Sequence, residues 1–140
     1  LGPGVSALLP ASDHALVVTT PDDVAMRDAE RAIALTEAAG LPRPMLVVNR
    51  VRPDMVARGE MYSPQAVASA LDVPLLGYVP EDRAVLAAAA RHESFMDTEG
   101  PAKQAMERIA QRFLGEFVPM PTMERKLHWW ERGRNVGIGV

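Results

Sequence analysis

The stretch ALVVTTPDDVAMRDAERAIALTEAAGLPRPMLVVN, residues 15–49, decides the fold. It opens on one aliphatic run, Ala15 to Thr19, and closes on another, Met45 to Asn49. Neither run alternates with polar residues, so each reads as a strand covered on both faces, as in a parallel sheet with helices packed on either side. The segment between them reads as a helix, with Thr20 as N-cap, Pro21 in the first turn, and Asp22 and Asp23 beside the positive end of the dipole. Ala29, Ile33, Leu35 and Ala38 carry it forward, and Gly40 followed by Pro42 stops it.

The pattern repeats on the carboxyl side. A helix from Ser63 and Pro64, with Val67, Ala70 and Leu71 on one face, leads to a third aliphatic run, Pro74 to Val79. A third helix is expected from Glu81 or Asp82 to Ala90, then a loop over residues 92–100. A last helix is expected from Pro101 to Phe117, with Ala105, Ile109, Phe113 and Leu114 as its buried stripe. Strand–helix–strand units of this kind build an α/β fold, here a partial doubly wound parallel sheet of three strands with flanking helices. Residues 1–118 read as this domain part, 119–121 as a linker that lets the tail swing free, and 122–140 as a C-terminal amphipathic helix and tail.

Composition narrows the function. With 48% hydrophobic and 24% charged residues among 140, the chain is an ordinary globular protein. No run approaches the roughly 20 apolar residues of a spanning helix, and no basic-then-apolar leader precedes the first strand. The absence of Cys excludes disulfides and thiolate metal sites and fits a cytoplasmic location. A net charge of -3 gives no reason to expect nucleic acid as a partner. His14, His92 and His128 lack ligand spacing, so no metal site is expected, and no Ser-His-Asp set can be assembled. Gly2 and Gly4 read as turn residues, and no G-x-x-x-x-G-K-[ST] phosphate loop occurs.

Three stretches, VVTTPDDVAMRDAERAIAL (residues 17–35), LVVNRVRPDMVARGEMYSPQAV (46–67) and LDVPLLGYVPEDRAVLAAAARHESF (71–95), resemble the MinD branch of the ParA/MinD class of P-loop ATPases. Their order and spacing agree from about Ser12 onward, together with a basic amphipathic terminus. The chain departs from the pattern at residues 3–6, PGVS, where the family usually has Pro-Ala-Gly-Ile-Glu. The resemblance implies ATP and Mg2+ as cofactors, a nucleotide-dependent homodimer, MinC-like inhibitor and MinE-like regulator partners, and a peripheral place on the inner face of the cell membrane. It also places the phosphate loop and the metal-binding carboxylates ahead of Leu1, so hydrolysis by this chain alone is not expected and the chain reads as the C-terminal part of such an ATPase. Two other readings stay open: a non-catalytic membrane-bound interaction module, and a ParA-like partitioning ATPase.

Asn49 and Arg50 end the second strand, where open α/β sheets place ligands. An Asn amide offers a donor and an acceptor side by side, matching an adenine edge; it could equally cap the following turn. Pro80, Glu81 and Asp82 end the third strand, and the family uses this segment against base and ribose. Their acids could instead favour the positive end of the next helix. Asp22, Arg27, Asp28 and Glu30 match the family's partner-receiving helix, though such a charged face is equally a solvated one, and Arg27 could pair with its acidic neighbours.

At the terminus, Thr122 can cap a helix over MERKLHWWERGR, residues 123–134. Met123, Leu127 and Trp130 form one stripe, Arg125, His128 and Arg132 fall opposite it, and Lys126 and Arg134 flank it, with Trp129 also among the expected membrane-binding residues. Interfacial Trp and basic residues together suit anionic membrane lipids. Docking of this helix on its own domain is the competing reading.

Overall fold

A computed structural model of the chain describes residues 8–121 and Met123. Three parallel strands, β1 (Leu16–Thr19), β2 (Met45–Val51) and β3 (Leu75–Pro80), lie in the order β1-β2-β3. Between them run α1 (Asp23–Ala38), α2 (Pro53–Arg58) and α3 (Pro64–Leu71); after β3 come α4 (Arg83–Ala90) and α5 (Pro101–Phe113). The α/β class and the three-strand parallel sheet are those implied by the aliphatic runs.

The uninterrupted apolar strands are explained by two cores. On one face, Val17, Leu46, Val48 and Val51 meet Ile33 of α1 and Val67 and Leu71 of α3. On the other, Val47, Leu76 and Val79 meet Ala102, Ala105 and Ile109 of α5. Leu46, Val48, Val51 and Val67 are fully buried, each stabilising by about 1.5–3 kcal/mol relative to exposure. Coverage is incomplete at β1: α5 lies over β2 and β3, and Leu16 and Val18 remain 45% and 61% exposed.

Four local expectations are corrected. Asp22, not Thr20, caps α1: its Oδ1 accepts from the Ala25 N–H at 3.0 Å, while the Thr20 hydroxyl donates to Oδ2. A carboxylate two residues closer to the first free N–H groups is the better acceptor, and Thr20 serves it. The short α2 has no counterpart among the expected helices; Pro53 starts it and Gly59, at φ +74°, ends it within six residues. α5 stops at Phe113 rather than Phe117, because Gly115 takes a left-handed turn at φ +89°. Phe113 and Leu114 consequently lie outside the core, 46% and 76% exposed.

The fourth correction concerns the linker. Residues 118–121 are fastened to the domain: Arg112 donates from Nε to the Val118 carbonyl and from Nη2 to the Pro119 carbonyl, both at 2.8 Å. Met123, expected on the lipid-facing stripe, is partly buried against the domain core. Gly2, Gly4, the Thr122 cap, Arg125, Lys126, Leu127, Trp129, Trp130, Arg132 and Arg134 lie outside the described residues. No described helix is long and apolar enough to cross a membrane.

Candidate nucleotide-base site

The carboxyl ends of the strands gather the polar residues that the sequence singles out. Between Val48, which pairs with Tyr78, and Val51, which pairs with Pro80, β2 carries one residue more than β3. That extra residue is a bulge at Asn49–Arg50, and bulges re-aim side chains where they occur. Arg50 takes the left-handed conformation, φ +57°. For a residue with a β-carbon this costs about 1–2 kcal/mol and persists only where the surroundings impose it.

Asn49 is half-buried, and its Oδ1 accepts from the Arg50 N–H at 2.9 Å. This bond holds the amide across the bulge, and among the described residues its Nδ2 has no acceptor. The side chain therefore performs the turn-capping role, and its Nδ2 donors stay uncommitted among the described residues. Arg50 Nη2 donates to Glu81 Oε1 at 3.1 Å, and Arg52 Nε stands 3.8 Å from Glu81 Oε2. Arg52 also reaches Asp54 at 3.2 Å, and Asp54 reaches Arg58 at 3.1 Å. Desolvation is the largest single influence on the Asp54 carboxyl and pushes it up, but the hydrogen bonds and charges of Arg58 and Arg52 together outweigh it and hold the carboxyl below its ordinary value. These pairs are solvent-exposed, so they add little stability; their effect is to orient Glu81. The Glu81 N–H, donating to the Val51 carbonyl at 2.8 Å, extends the β2–β3 ladder to the same point.

Asp82 has a different task. Its Oδ1 accepts from Ala84 N–H at 2.9 Å and its Oδ2 from Ala102 N–H at 3.2 Å, so one carboxylate caps α4 and the start of α5. Gly100 permits this approach, since a β-carbon there would lie 2.6 Å from Oδ2. Of the two readings open for Asp82, the helix-end one is the one its bonds describe.

Beside Asn49, Arg50, Pro80 and Glu81 runs a groove of about 550 Å³. Its floor is Val18, Val47 and Val79, and Leu86 and Met106, 71% and 37% exposed, rise along it. The sequence reading missed this groove, the bulge and Arg52. Arg52 was legible in N-R-V-R, because alternate residues of a strand share a face and place Arg50 and Arg52 on one side.

The partner-receiving candidates lie on α1. Asp22, Arg27, Asp28 and Glu30 are all exposed. Asp28 pairs with Arg31 at 3.0 Å, whereas Arg27, for which local pairing is the alternative reading, makes no ion pair among the described residues. Asp22 lines a cavity of about 340 Å³ with Arg50, Arg52 and Glu81, and Asp28 lines another of about 660 Å³ with Asn49.

A parallel α/β layer with polar residues and an apolar groove at its strand ends is a nucleotide-binding type of architecture. The ParA family model, described as NUBPL iron-transfer P-loop NTPase, matches residues 5–114. The chain belongs to the ParA/MinD family of P-loop NTPases, as a MinD-type member. It is 39% identical over 128 residues to a putative septum site-determining protein MinD of Nephroselmis olivacea, covering 90% of this chain and 46% of that protein. It is 37% identical over 125 residues to the septum site-determining protein MinD of Bacillus subtilis, covering 88% and 47%. The MinC:MinD cell division protein complex of Aquifex aeolicus superposes with a TM-score of 0.81 at 30% identity, covering 89% of this chain and 52% of that one. The chain thus spans about half the length of the curated relatives it matches.

Proposed function

We propose that this chain forms the base-binding side of a MinD-type ATPase that controls placement of the division septum. The observation that carries the reading is the meeting of Asn49–Arg50 with Pro80–Glu81 at adjacent strand ends, in a fold shared with MinD. Asn49 Nδ2 supplies a donor to the edge of an adenine, and the bulge holds that amide in place. Pro80 and the aligned Glu81 bound the base and ribose. Asp82 contributes by fixing α4 and α5 around the site. ATP, when bound with Mg2+, supplies the phosphoanhydride whose hydrolysis the family carries out. Among the described residues no group of three or more His, Asp or Glu could hold a metal, so the Mg2+ and phosphate ligands are assigned to the part of the family's domain that this chain does not match.

On this reading nucleotide drives a homodimer, Asp22, Arg27, Asp28 and Glu30 receive MinC-like and MinE-like partners, and Arg125 to Arg134 attach the dimer to anionic lipid on the inner face of the cell membrane. The first of these partners is supported by the Aquifex structure, in which MinD is in complex with MinC. The base site is tested by titrating the isotope-labelled chain with adenosine while following backbone amides. Shifts at Asn49, Arg50 and Glu81 that guanosine does not produce, and that Asn49→Ala abolishes without unfolding, are expected. Uniform or absent shifts would remove the base from the account. Asp82→Ala serves as the contrast, costing about 0.5–2 kcal/mol of stability for each cap lost.

A further inference from the structure

The strongest feature outside the site is the path of residues 118–123. Arg112 stands in the last turn of α5, and its guanidinium serves three backbone carbonyls: Leu76 at 3.2 Å, Val118 at 2.8 Å and Pro119 at 2.8 Å. Leu76 lies near the amino end of β3, so the strap begins at the bottom of the sheet. Pro121 lies by the first turn of α3, where its carbonyl accepts from Gln65 Nε2 at 3.4 Å. Met123 lines a cavity of about 240 Å³ with Pro53 and Pro80, the residues that follow Arg52 and end β3. The strap thus climbs the outer edge of β3 from its amino to its carboxyl end. The lengths agree: α5, with 13 residues, descends roughly 20 Å, and at about 3.3 Å per residue the chain from Val118 to Met123 can cover most of the way back.

We propose that Arg112 is a positioning residue, latching residues 118–121 along β3 so that the segment after Met123 starts at the carboxyl end of the sheet beside the Asn49–Glu81 site. Without the latch that segment would start from the end of α5, on the opposite side. An arginine suits the task because its planar fork can serve several carbonyls at once, which a lysine ammonium does not reproduce. The prolines at 119 and 121 lack N–H groups, so the strap does not become a fourth strand; side-chain donors from Arg112 and Gln65 hold it instead. The latch is independent of what the terminal segment binds, while its use, bringing a membrane anchor next to the nucleotide end, rests on the function proposed above.

The chain has no cysteine, so spin labels at Ser69→Cys and Glu124→Cys report one distance. A single narrow distribution is expected in the native chain, its loss in Arg112→Met, and an intermediate width in Arg112→Lys. A broad distribution in the native chain, or an equally narrow one in a folded Arg112→Met, overturns the latch. Should Arg112→Met not fold, a Gly-Gly insertion after Phe117 keeps the bond to Leu76 and shifts Val118 and Pro119 off the guanidinium; it too must lose the narrow peak, and retention overturns the proposal. Vesicle pelleting of the same samples is a separate arm. A narrow distance without pelleting upholds the latch and rejects the membrane reading, and a broad distance with pelleting does the reverse.

Discussion

Gly77 and Ile109 meet with no room for a side chain between them: a β-carbon on Gly77 would stand 2.4 Å from Ile109 Cγ1. This contact seats α5 directly on β3 and, one turn on, brings Arg112 to the strand edge. The Gly77 position is itself set by the sheet, because it pairs with Val47 in the middle of the parallel ladder. Gly77→Ala must displace either the strand or the helix, at a cost of about 1–3 kcal/mol. Urea unfolding measures it. Because Ile109→Ala removes the clashing atoms, the double variant should lose less than the sum of the single ones. A Gly77→Ala chain with the native midpoint would mean that α5 does not sit this close.

The capping carboxylate of α1 predicts a pH dependence. The Thr20 hydroxyl and the Ala25 N–H hold the Asp22 carboxyl below its ordinary value. A group depressed in the folded state contributes stability above its unfolded value, about pH 3.9, and that contribution is lost as pH falls through the folded value. Asp22→Ala should therefore cost about 1 kcal/mol at neutral pH, and the gap to the native chain should narrow as the pH falls below the ordinary carboxylate range. Asp22 is almost wholly solvent-exposed, so added salt should reduce the charge-dependent part. A gap that stays constant with pH would show that the charge has no part in the cap.

The strands were legible in the sequence because burial on both faces leaves an uninterrupted aliphatic signature, as in Met45 to Val48. Asn49 and Glu81 were legible as site candidates because a parallel strand delivers its last residues to the ligand side. What was hidden depended on contacts remote in sequence. Asp82 reads as one more acid after a strand, and only the return of Ala102 to its carboxylate reveals the double cap. Arg112 reads as an exposed helix cation, and only the folding back of Val118 and Pro119 gives it three carbonyls. The early stop of α5 was readable at Gly115, but the apolar residues around it argued for a longer helix. The exposure of Val18 has no signature at all in a strand whose composition promises two covered faces.

Trp129 and Trp130 are the only tryptophans of the chain, so intrinsic fluorescence reports on the terminal segment alone. On the proposed membrane reading, a stripe holding Leu127 and Trp130 would offer area to the acyl boundary, and Arg125, Lys126, Arg132 and Arg134 would each add about 1 kcal/mol near an anionic surface. A helix of some three turns is marginal by itself in water, so order is expected to arrive with the lipid. Emission should shift to the blue, and the chain should pellet, with vesicles containing acidic phospholipid but far less with neutral ones. Trp130→Glu places a charge on the apolar stripe while leaving the basic residues intact, and should abolish both signals; raised salt should weaken the native response because it screens the basic residues. Joining two chains covalently should strengthen retention well beyond twofold, since the second segment then binds at the effective concentration set by the first. Equal pelleting of Trp130→Glu and native chains would leave only charge as the attraction, and equal retention of joined and single chains would detach membrane binding from dimerisation.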